Sequence, residues 1–304
     1  MYIRQLNYIV ALSQEKHFGR AAAFCNVSQP ALSGAIRSLE NELEISIIQR
    51  GRRFEGFTKD GERVLAWARR VLTDCEGLRQ AARAGEDNPA GTLRMGAIPS
   101  SLPLIPLLTQ QCLQSYPLMR HQVRTLSAAD ILQKIVHFEL DLGLSYLDDE
   151  RLTEFETFPI LQERYVLVAA DAKMFEGMVS MSWADAANLP LCLFTNDMQC
   201  RRGMNVAFSA AGVEATPVVE TDSKTALCAH VRLAGLYSIL PHSALCLDDT
   251  QAQLFTLPLL PLLQRDIGLV MLKQQPSGPV LDAAMKCFRQ LDLQSLVDGF
   301  LVKA

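Results

Sequence analysis

The sequence predicts an α/β protein with an all-α unit at its N-terminus, and three observations carry that prediction. Residues 4–43 hold three helical segments, the last two joined by a short turn. Residues 59–85 carry apolar side chains at heptad spacing, the mark of one long helix. From residue 92 onward, short apolar runs alternate with amphipathic ones, as strands and helices do in α/β folds. The 304-residue chain is long enough for two domains that each bury a core.

Hydrophobic residues make up 49% of the chain and charged residues 20%, an ordinary globular balance that excludes disorder. The net charge of −4 divides into +2 over residues 1–90 and −6 over the rest. A basic end fits a polyanionic partner, although the excess is small. No apolar run reaches the roughly 18 residues of a membrane helix. The apolar centre of MYIRQLNYIVALSQEKHF is too short for a signal peptide, so a cytoplasmic protein is expected. The eight cysteines (25, 75, 112, 192, 200, 228, 246, 287) include no C-x-x-C and read as small buried hydrophobes. Cys228-x-His230 and His242-x3-Cys246 come nearest to zinc spacing and do not amount to a metal site. No cofactor is expected. G-x-S-x-G, the P-loop, G-x-G-x-x-G and H-E-x-x-H are all absent, so nothing marks the chain as an enzyme.

Residues 4–15 predict the first helix, with Leu6, Ile9, Val10 and Leu12 inward. The second runs from about Gly19, a tolerable N-cap, to Cys25, and its run of alanines at 21–23 lets a neighbour approach closely. Asn26 and Val27 turn the chain into SQPALSGAIRSLENEL, residues 28–43. Ser28 is a good N-cap, and Pro30 falls in the first turn, where a missing N–H does no harm. Leu32, Ala35, Ile36, Leu39 and Leu43 form an apolar stripe, with Gln29, Ser33, Arg37 and Glu40 on the other side. Alone this is an ordinary amphipathic helix. Behind a short helix and turn it reads as the second helix of a helix-turn-helix, the element that enters a DNA major groove. ISIIQRGRRFEGFT (45–58) predicts a hairpin wing with a basic tip, Arg50-Gly51-Arg52-Arg53. That tip is either a solvated turn or, beside a helix-turn-helix, a clamp on the phosphate backbone.

Thr58 caps the long helix, and Asp60 and Glu62 suit its N-terminal dipole. Val64, Ala68, Val71, Cys75, Leu78 and Ala82 follow at spacings of 4, 3, 4, 3 and 4. A helix on the order of 40 Å long needs a partner for this seam: a second copy of the chain or, alternatively, the chain's own fold. GEDNPAG (85–91) reads as a linker.

MYIRQLNYIVALSQEKHFGRAAAFCNVSQPALSGAIRSLENEL, followed by Gln49-Arg50, Phe57-Thr58 and Gly61-Glu62, resembles the LysR-type transcriptional regulators. The resemblance covers the whole chain in length and order, and RAAAFCNVSQPALS followed by IRSLE is highly specific. It implies a winged helix-turn-helix DNA-binding domain over 1–58 and a dimerisation linker helix over 59–88. Over 89–304 it implies an effector-binding domain like the type 2 periplasmic binding proteins. Subdomain I would be about 92–162 and 267–304, and subdomain II about 163–266. The implied partners are promoter DNA, a small-molecule effector, a second copy of the chain in a homodimer or homotetramer, and RNA polymerase. The effector would shift the arrangement of the linker helices and so change DNA bending.

Matched residue by residue, Gln29, Pro30, Ser33 and Arg37 fall on recognition-helix positions, Arg4 and Arg50 on phosphate-contacting positions, and Arg53 on the wing. Two positions depart from the pattern. Gly34 stands where Arg is common, which removes a charged contact and weakens the helix by about 1 kcal/mol relative to Ala. Glu44 replaces a frequent Gly before the wing.

In the remainder, strands are predicted at 92–98, 121–126, 141–146, 155–160, 163–170, 190–194, 217–221, 237–241, 254–259 and 265–272. Helices are predicted after Ser100, over 127–139, 198–211 and 224–234, and from 279. Such alternation implies largely parallel sheets. Ligands in open α/β sheets lie at the carboxyl ends of strands. That rule selects Ser100, Ser101, Ser127, Ser145, Tyr146, Thr195 and Asn196. Singly, each is most simply a helix cap or core residue. Together, hydroxyls and helix N-termini suit a small anion such as a carboxylate. The resemblance leaves formate or a related small carboxylate as the candidate effector.

NDMQCRRGMNVAFSAAG (196–212) resembles the segment that carries the reactive cysteine of peroxide-sensing LysR members. Cys200 is therefore an alternative, redox sensor, with Arg201 and Arg202 beside it to favour thiolate. The second cysteine that those members carry nine residues later is Ser209 here, so the intramolecular disulfide switch is missing. The simpler reading of Cys200 is a residue of the pocket wall.

Overall fold

A computed structural model describes residues 1–49, 54–83, 89–246, 254–273 and 278–300. The N-terminal unit packs four helices: α1 (Ile3–Glu15), α2 (Phe18–Phe24), α3 (Gln29–Leu43) and α4 (Lys59–Arg83). Leu6, Ile9 and Leu12 of α1 meet Ala21 and Ala22 of α2 and Leu32, Ile36 and Leu39 of α3 in one core. Leu43, at the end of the expected stripe, is exposed. The buried Gln5 amide donates to Ala35 O across α3 (3.2 Å) and accepts the Tyr2 N–H (2.7 Å), so α1 and α3 are tied by a satisfied polar group.

The caps follow the sequence with one correction. Ser28 accepts the Ala31 N–H at 3.3 Å, and Thr58 Oγ1 accepts the Gly61 N–H at 2.9 Å. The second helix is capped by His17 rather than Gly19: its Nδ1 accepts the N–H groups of Gly19 and Arg20 at 3.1 and 3.3 Å. Asn26, in the turn, takes a left-handed backbone with φ 55°. Glu44 does the same after α3, also with φ 55°, in the conformation that favours glycine. Glu40, expected on the polar face, folds back instead: its Oε1 accepts the N–H groups of Ile47 (2.7 Å) and Ile48 (3.0 Å) and anchors the base of the wing.

Among the described residues the wing is a single antiparallel bridge, Ile48 to Phe57, rather than two full strands. Its tip, with Arg50 and Arg53, lies outside the described residues. The start of α4 presses against this wing. A Cβ on Gly61 would sit 2.1 Å from the Ile47 carbonyl oxygen, so glycine is required there.

The heptad seam of α4 is divided. Ala68 is buried in the chain's own helical core, and Val64 and Val71 pack against it. On another side Trp67 is 63% exposed, and farther along Leu78 is 71% exposed.

The α/β part runs β1 (Gly91–Ala97), α5 (Ile105–Ser115), β2 (Met119–Thr125), α6 (Ala128–Val136), β3 (Leu142–Tyr146) and β4 (Phe155–Ala169). There follow β5 (Met181–Ser182), α7 (Trp183–Ala186), β6 (Cys192–Phe194), α8 (Gln199–Ala210), β7 (Val219–Thr221), α9 (Lys224–Ala234) and β8 (Ser238–Pro241). The chain ends with β9 (Phe255–Leu260), β10 (Gln264–Leu272), α10 (Pro279–Arg289) and α11 (Leu293–Gly299).

The main sheet has the order β2-β1-β3-β10-β4-β9-β5, with β8 also on β4 and a separate β6-β7 pair. It is mixed, which corrects the largely parallel expectation. β1 runs parallel to β2 and β3, whereas β10 and β4 pair antiparallel with each other and with their other neighbours.

The segments 155–160 and 163–170 form one continuous strand, β4, not two. Pro159 faces Gly268 at a register shift, where a missing N–H breaks no regular ladder. The first part of β4 pairs with β10, and the part from Tyr165 pairs with β8 and β9. One strand thus spans two hydrophobic cores. The first gathers β1, β3, α5, α6, α10 and α11; the second gathers Trp183, Phe194, Met204, Phe208, Leu227 and Ile239. The changeover falls at Glu163–Tyr165, between the two subdomains.

Candidate functional site

The first candidate surface is the outer face of α3. Gln29, Pro30 and Arg37 are exposed and Ser33 is half-buried, while Leu32, Ile36 and Leu39 point into the core. Arg4 is exposed near the start of α1, its guanidinium 5.1 Å from the centre of the Tyr2 ring. Gly34 is exposed as well, and the space around it is open: a Cβ there would meet nothing within 4 Å. A helix that buries one face and offers amide, hydroxyl and guanidinium groups on the other carries the functional groups that read base edges and phosphates.

The second candidate lies where β4 changes partners. Ser100 Oγ is 3.2 Å from Tyr146 OH, which is 3.4 Å from Tyr165 OH. Ser243 donates to Glu163 Oε1, and its Oγ also lies 3.4 Å from the Ser100 carbonyl oxygen. The Arg265 guanidinium stacks 3.4 Å from the centre of the Tyr146 ring and forms a fork with Asp148, at 2.8 Å for each bond. These residues come from both subdomains, so the cluster exists only in the folded chain.

Burial sets the electrostatics. Glu163 is fully buried, which pushes its carboxyl up to about 7 against the pull of Ser243, Tyr146 and Arg265. The buried Tyr146 and Tyr165 hydroxyls are pushed up too, first by burial and then by Glu163. Beside them, His242 Nδ1 accepts the Arg164 N–H at 3.1 Å, and Arg164 pairs with Asp298 at 2.6 Å. Burial, with the Arg164 charge nearby, pulls His242 down to about 4.

The expected effector residues divide. Ser100 and Tyr146 meet in the cluster. Ser101 is fully buried with its Oγ unpartnered, and Thr195 Oγ1 is likewise buried without a partner. Asn196 accepts from the Asn205 amide at 2.8 Å on an exposed surface. Ser127 is an exposed N-cap of α6: it accepts the Asp130 N–H at 3.1 Å and donates to the Asp130 carboxylate at 2.6 Å. Ser145 is buried in β3, where alternation turns it to the opposite face from Tyr146.

Cys200 sits in the first turn of α8, 4% exposed. Its thiol is pushed up to about 12, by burial and then by Glu163. This reverses the expected help from Arg201. That guanidinium is bonded to Phe194 O (2.6 Å), Glu220 (2.9 Å) and Asn205 (2.8 Å).

Sequence reading missed Glu163, Tyr165, Ser243 and Arg265. One signal was present: QERYV and QRDIG carry opposite charges in two predicted strands, and β4 and β10 pair Glu163 directly with Arg265.

A helix-turn-helix with an exposed polar helix, followed by two α/β lobes that share a buried polar cluster, is the build of a DNA-binding regulator with an effector-binding domain. Residues 3–62 match the model for the bacterial regulatory helix-turn-helix protein, lysR family, and residues 86–292 match that for the LysR substrate binding domain. The chain belongs to the LysR family of transcriptional regulators, which are not enzymes.

It is 31% identical over 284 residues to the DNA-binding transcriptional dual regulator OxyR of Escherichia coli K12, covering 92% of this chain and 91% of that one. It is 27% identical to the regulator SsuR of Burkholderia cenocepacia over 90% of this chain and 85% of that one. A full-length OxyR variant from Pseudomonas aeruginosa superposes with a TM-score of 0.76 at 26% identity, covering 98% of this chain and 99% of that one. Full-length CbnR in complex with its target DNA shares the fold, with a TM-score of 0.67 at 21% identity over 95% and 99% of the two chains.

Proposed function

We propose that the cleft between the subdomains binds a small anionic effector, formate or a related carboxylate, and that α3 reads the promoter. The carrying observation is the pair of buried, unpartnered hydroxyls, Ser101 Oγ and Thr195 Oγ1, just past the carboxyl ends of β1 and β6. The first turn of α8 adds N–H groups without a side-chain cap. Cys200 in that same turn is close enough to the Tyr146–Tyr165 pair to act on both electrostatically.

On this reading Gln29, Ser33 and Arg37 face base edges, and Arg4, Arg50 and Arg53 hold phosphates. Two copies pair along the outer side of α4, where Trp67 and Leu78 are exposed. Calorimetric titration of the full chain with formate and acetate tests the effector. Saturable binding that Ser101→Ala or Thr195→Val weakens at least fivefold is expected; no heat with any small carboxylate rejects it.

A second reading makes Cys200 an oxidant sensor. It is favoured by relatives named hydrogen peroxide-inducible genes activators, one of them 28% identical over 98% of this chain, and by the place of Cys200 beside the cleft cluster. The buried, protonated thiol and Ser209 in place of a second cysteine oppose it. Mass spectrometry after peroxide treatment decides: sulfenic acid at Cys200 with changed DNA affinity supports the sensor, and an unmodified thiol excludes it.

A further inference from the structure

Among the described residues the effector-binding unit meets α4 through α10 and through one small turn, and the turn carries the polar contacts. α6 begins behind Ser127, at the carboxyl end of β2, and spans about 14 Å at 1.5 Å per residue. It ends in the turn His137-Phe138-Glu139, where Phe138 holds a left-handed backbone with φ 55°. That is a costly conformation for an aromatic residue, and its neighbours hold it in place. The Phe138 N–H donates to Ile135 O at 3.0 Å. Arg94 donates to Phe138 O at 2.8 Å while also gripping Asp141. The ring faces the Arg70 guanidinium of α4 at 5.7 Å.

The next residue, Glu139, makes the tie. Its Oε1 is 2.8 Å from Arg69 Nη1 of α4, and its Oε2 accepts from Lys134 at 2.7 Å. Arg69 donates in turn to Ser13 Oγ of α1 at 3.1 Å. One polar chain therefore runs from α6 through α4 to α1. The space around it is a cavity of about 1070 Å³ lined by Ser13, Arg69, Thr73, Arg94, Lys134 and Glu139 among others. Apolar side chains such as Leu72, Phe138 and Leu281 also border this space, so the contact is mixed, with Arg69–Glu139 as its charged tie.

α6 is in contrast fixed to its own sheet. A Cβ on Gly143 of β3 would lie 2.2 Å from Ile131, and one on Gly96 of β1 would lie 3.1 Å from it. The helix thus moves with the strands that border the cleft.

We propose that the 137–139 turn is a latch that docks the effector-binding unit on α4 of the same chain, with Arg69–Glu139 as its tie, and that the state of this latch sets the regulator's output. The latch stands on its own contacts. Only what opens it rests on the effector reading of the cleft.

The test uses the full chain as wild type, Arg69→Met, Glu139→Gln and the double variant. Hydrogen exchange is followed in peptides over 66–74 and 134–141, and expression of a reporter from the gene's own upstream region is measured without added effector. Each single variant should speed exchange in both peptides about fivefold and shift reporter output about threefold in the same direction. The double variant should fall well short of the sum of the two single ones, because both remove the shared Arg69–Glu139 tie, although each also loses a bond of its own, to Ser13 or to Lys134. Additive effects, unchanged exchange, or faster exchange with unchanged reporter output would each overturn the proposal. Because no effector is added, failure of the carboxylate reading leaves these outcomes intact and is distinguished by the calorimetric titration.

Discussion

The outer face of α3 and the cleft on β4 are built on opposite plans. On α3 the exposed polar groups and the apolar groups that fold the helix alternate along fifteen consecutive residues, so helical periodicity separates them. In the buried cluster on β4, Ser100, Tyr146, Glu163, Ser243 and Arg265 come from distant stretches, and the pairing of β4 with β10 and the packing of the subdomains bring them together. The lesson is that a surface made by one element is local chemistry, whereas a cleft made by five is topology. Substitutions should expose the same split: local effects in the first region, coupled and pH-dependent ones in the second.

The largest effect is expected where α4 meets the wing in the N-terminal unit. Gly61→Ala forces a Cβ into the Ile47 carbonyl and should cost about 3 kcal/mol through displacement of the wing from α4. Thermal unfolding and DNA affinity should fall together; unchanged stability would show that α4 and the wing are independent.

The cleft should show its coupling through pH. Glu163 has its carboxyl raised from 4.5 to about 7, so the folded protein keeps it neutral over a window where the unfolded chain ionises it. Its contribution is complete below pH 4.5 and is lost as pH rises through 7, by on the order of 3 kcal/mol. His242 acts in the opposite direction, because its depressed value penalises the folded state as pH falls from 6.5 towards 4. The clean observable is the difference between Glu163→Gln and wild type in denaturant unfolding. The variant should gain relative stability as pH rises from 4.5 to 8, and a pH-independent difference would contradict the buried acid.

Arg37→Ala is expected to cost about 1–3 kcal/mol of binding to the promoter fragment, with less effect on random DNA. Equal losses on both would make Arg37 a phosphate contact instead, read by anisotropy on the two fragments.

The smallest effects should be stabilising. Glu44→Gly relieves a left-handed backbone and Gly34→Ala restores helix propensity in open space, each by about 1 kcal/mol. A loss of stability at either site would show a contact that sequence and packing both miss.

These sites also show how far the sequence could be read. The helix-turn-helix was legible because Ser28, Pro30 and the Leu32–Leu39 stripe are local signals. Glu40 was misplaced because its role depends on a chain reversal seven residues away. The seam of α4 was legible as a period, but not its division, since the burial of Ala68 depends on the docking of α1. The strand-end rule selected Ser100 and Tyr146, and the fold brings these two together at 3.2 Å. Ser145 lies apart from them because alternation turns it to the other face of β3, and Glu163 went unseen because nothing local marks which charge in QERYV is buried.

The central claim is sequence-specific DNA binding under the control of a small effector. The most direct test is anisotropy with a labelled fragment from the gene's own upstream region, across a salt series, against random DNA, with and without formate. The account predicts tight binding to the cognate fragment, a steep salt dependence, a large preference over random DNA, and a shift of affinity on addition of the effector. Weak binding, equal on both DNAs and unmoved by carboxylate or peroxide, would contradict it.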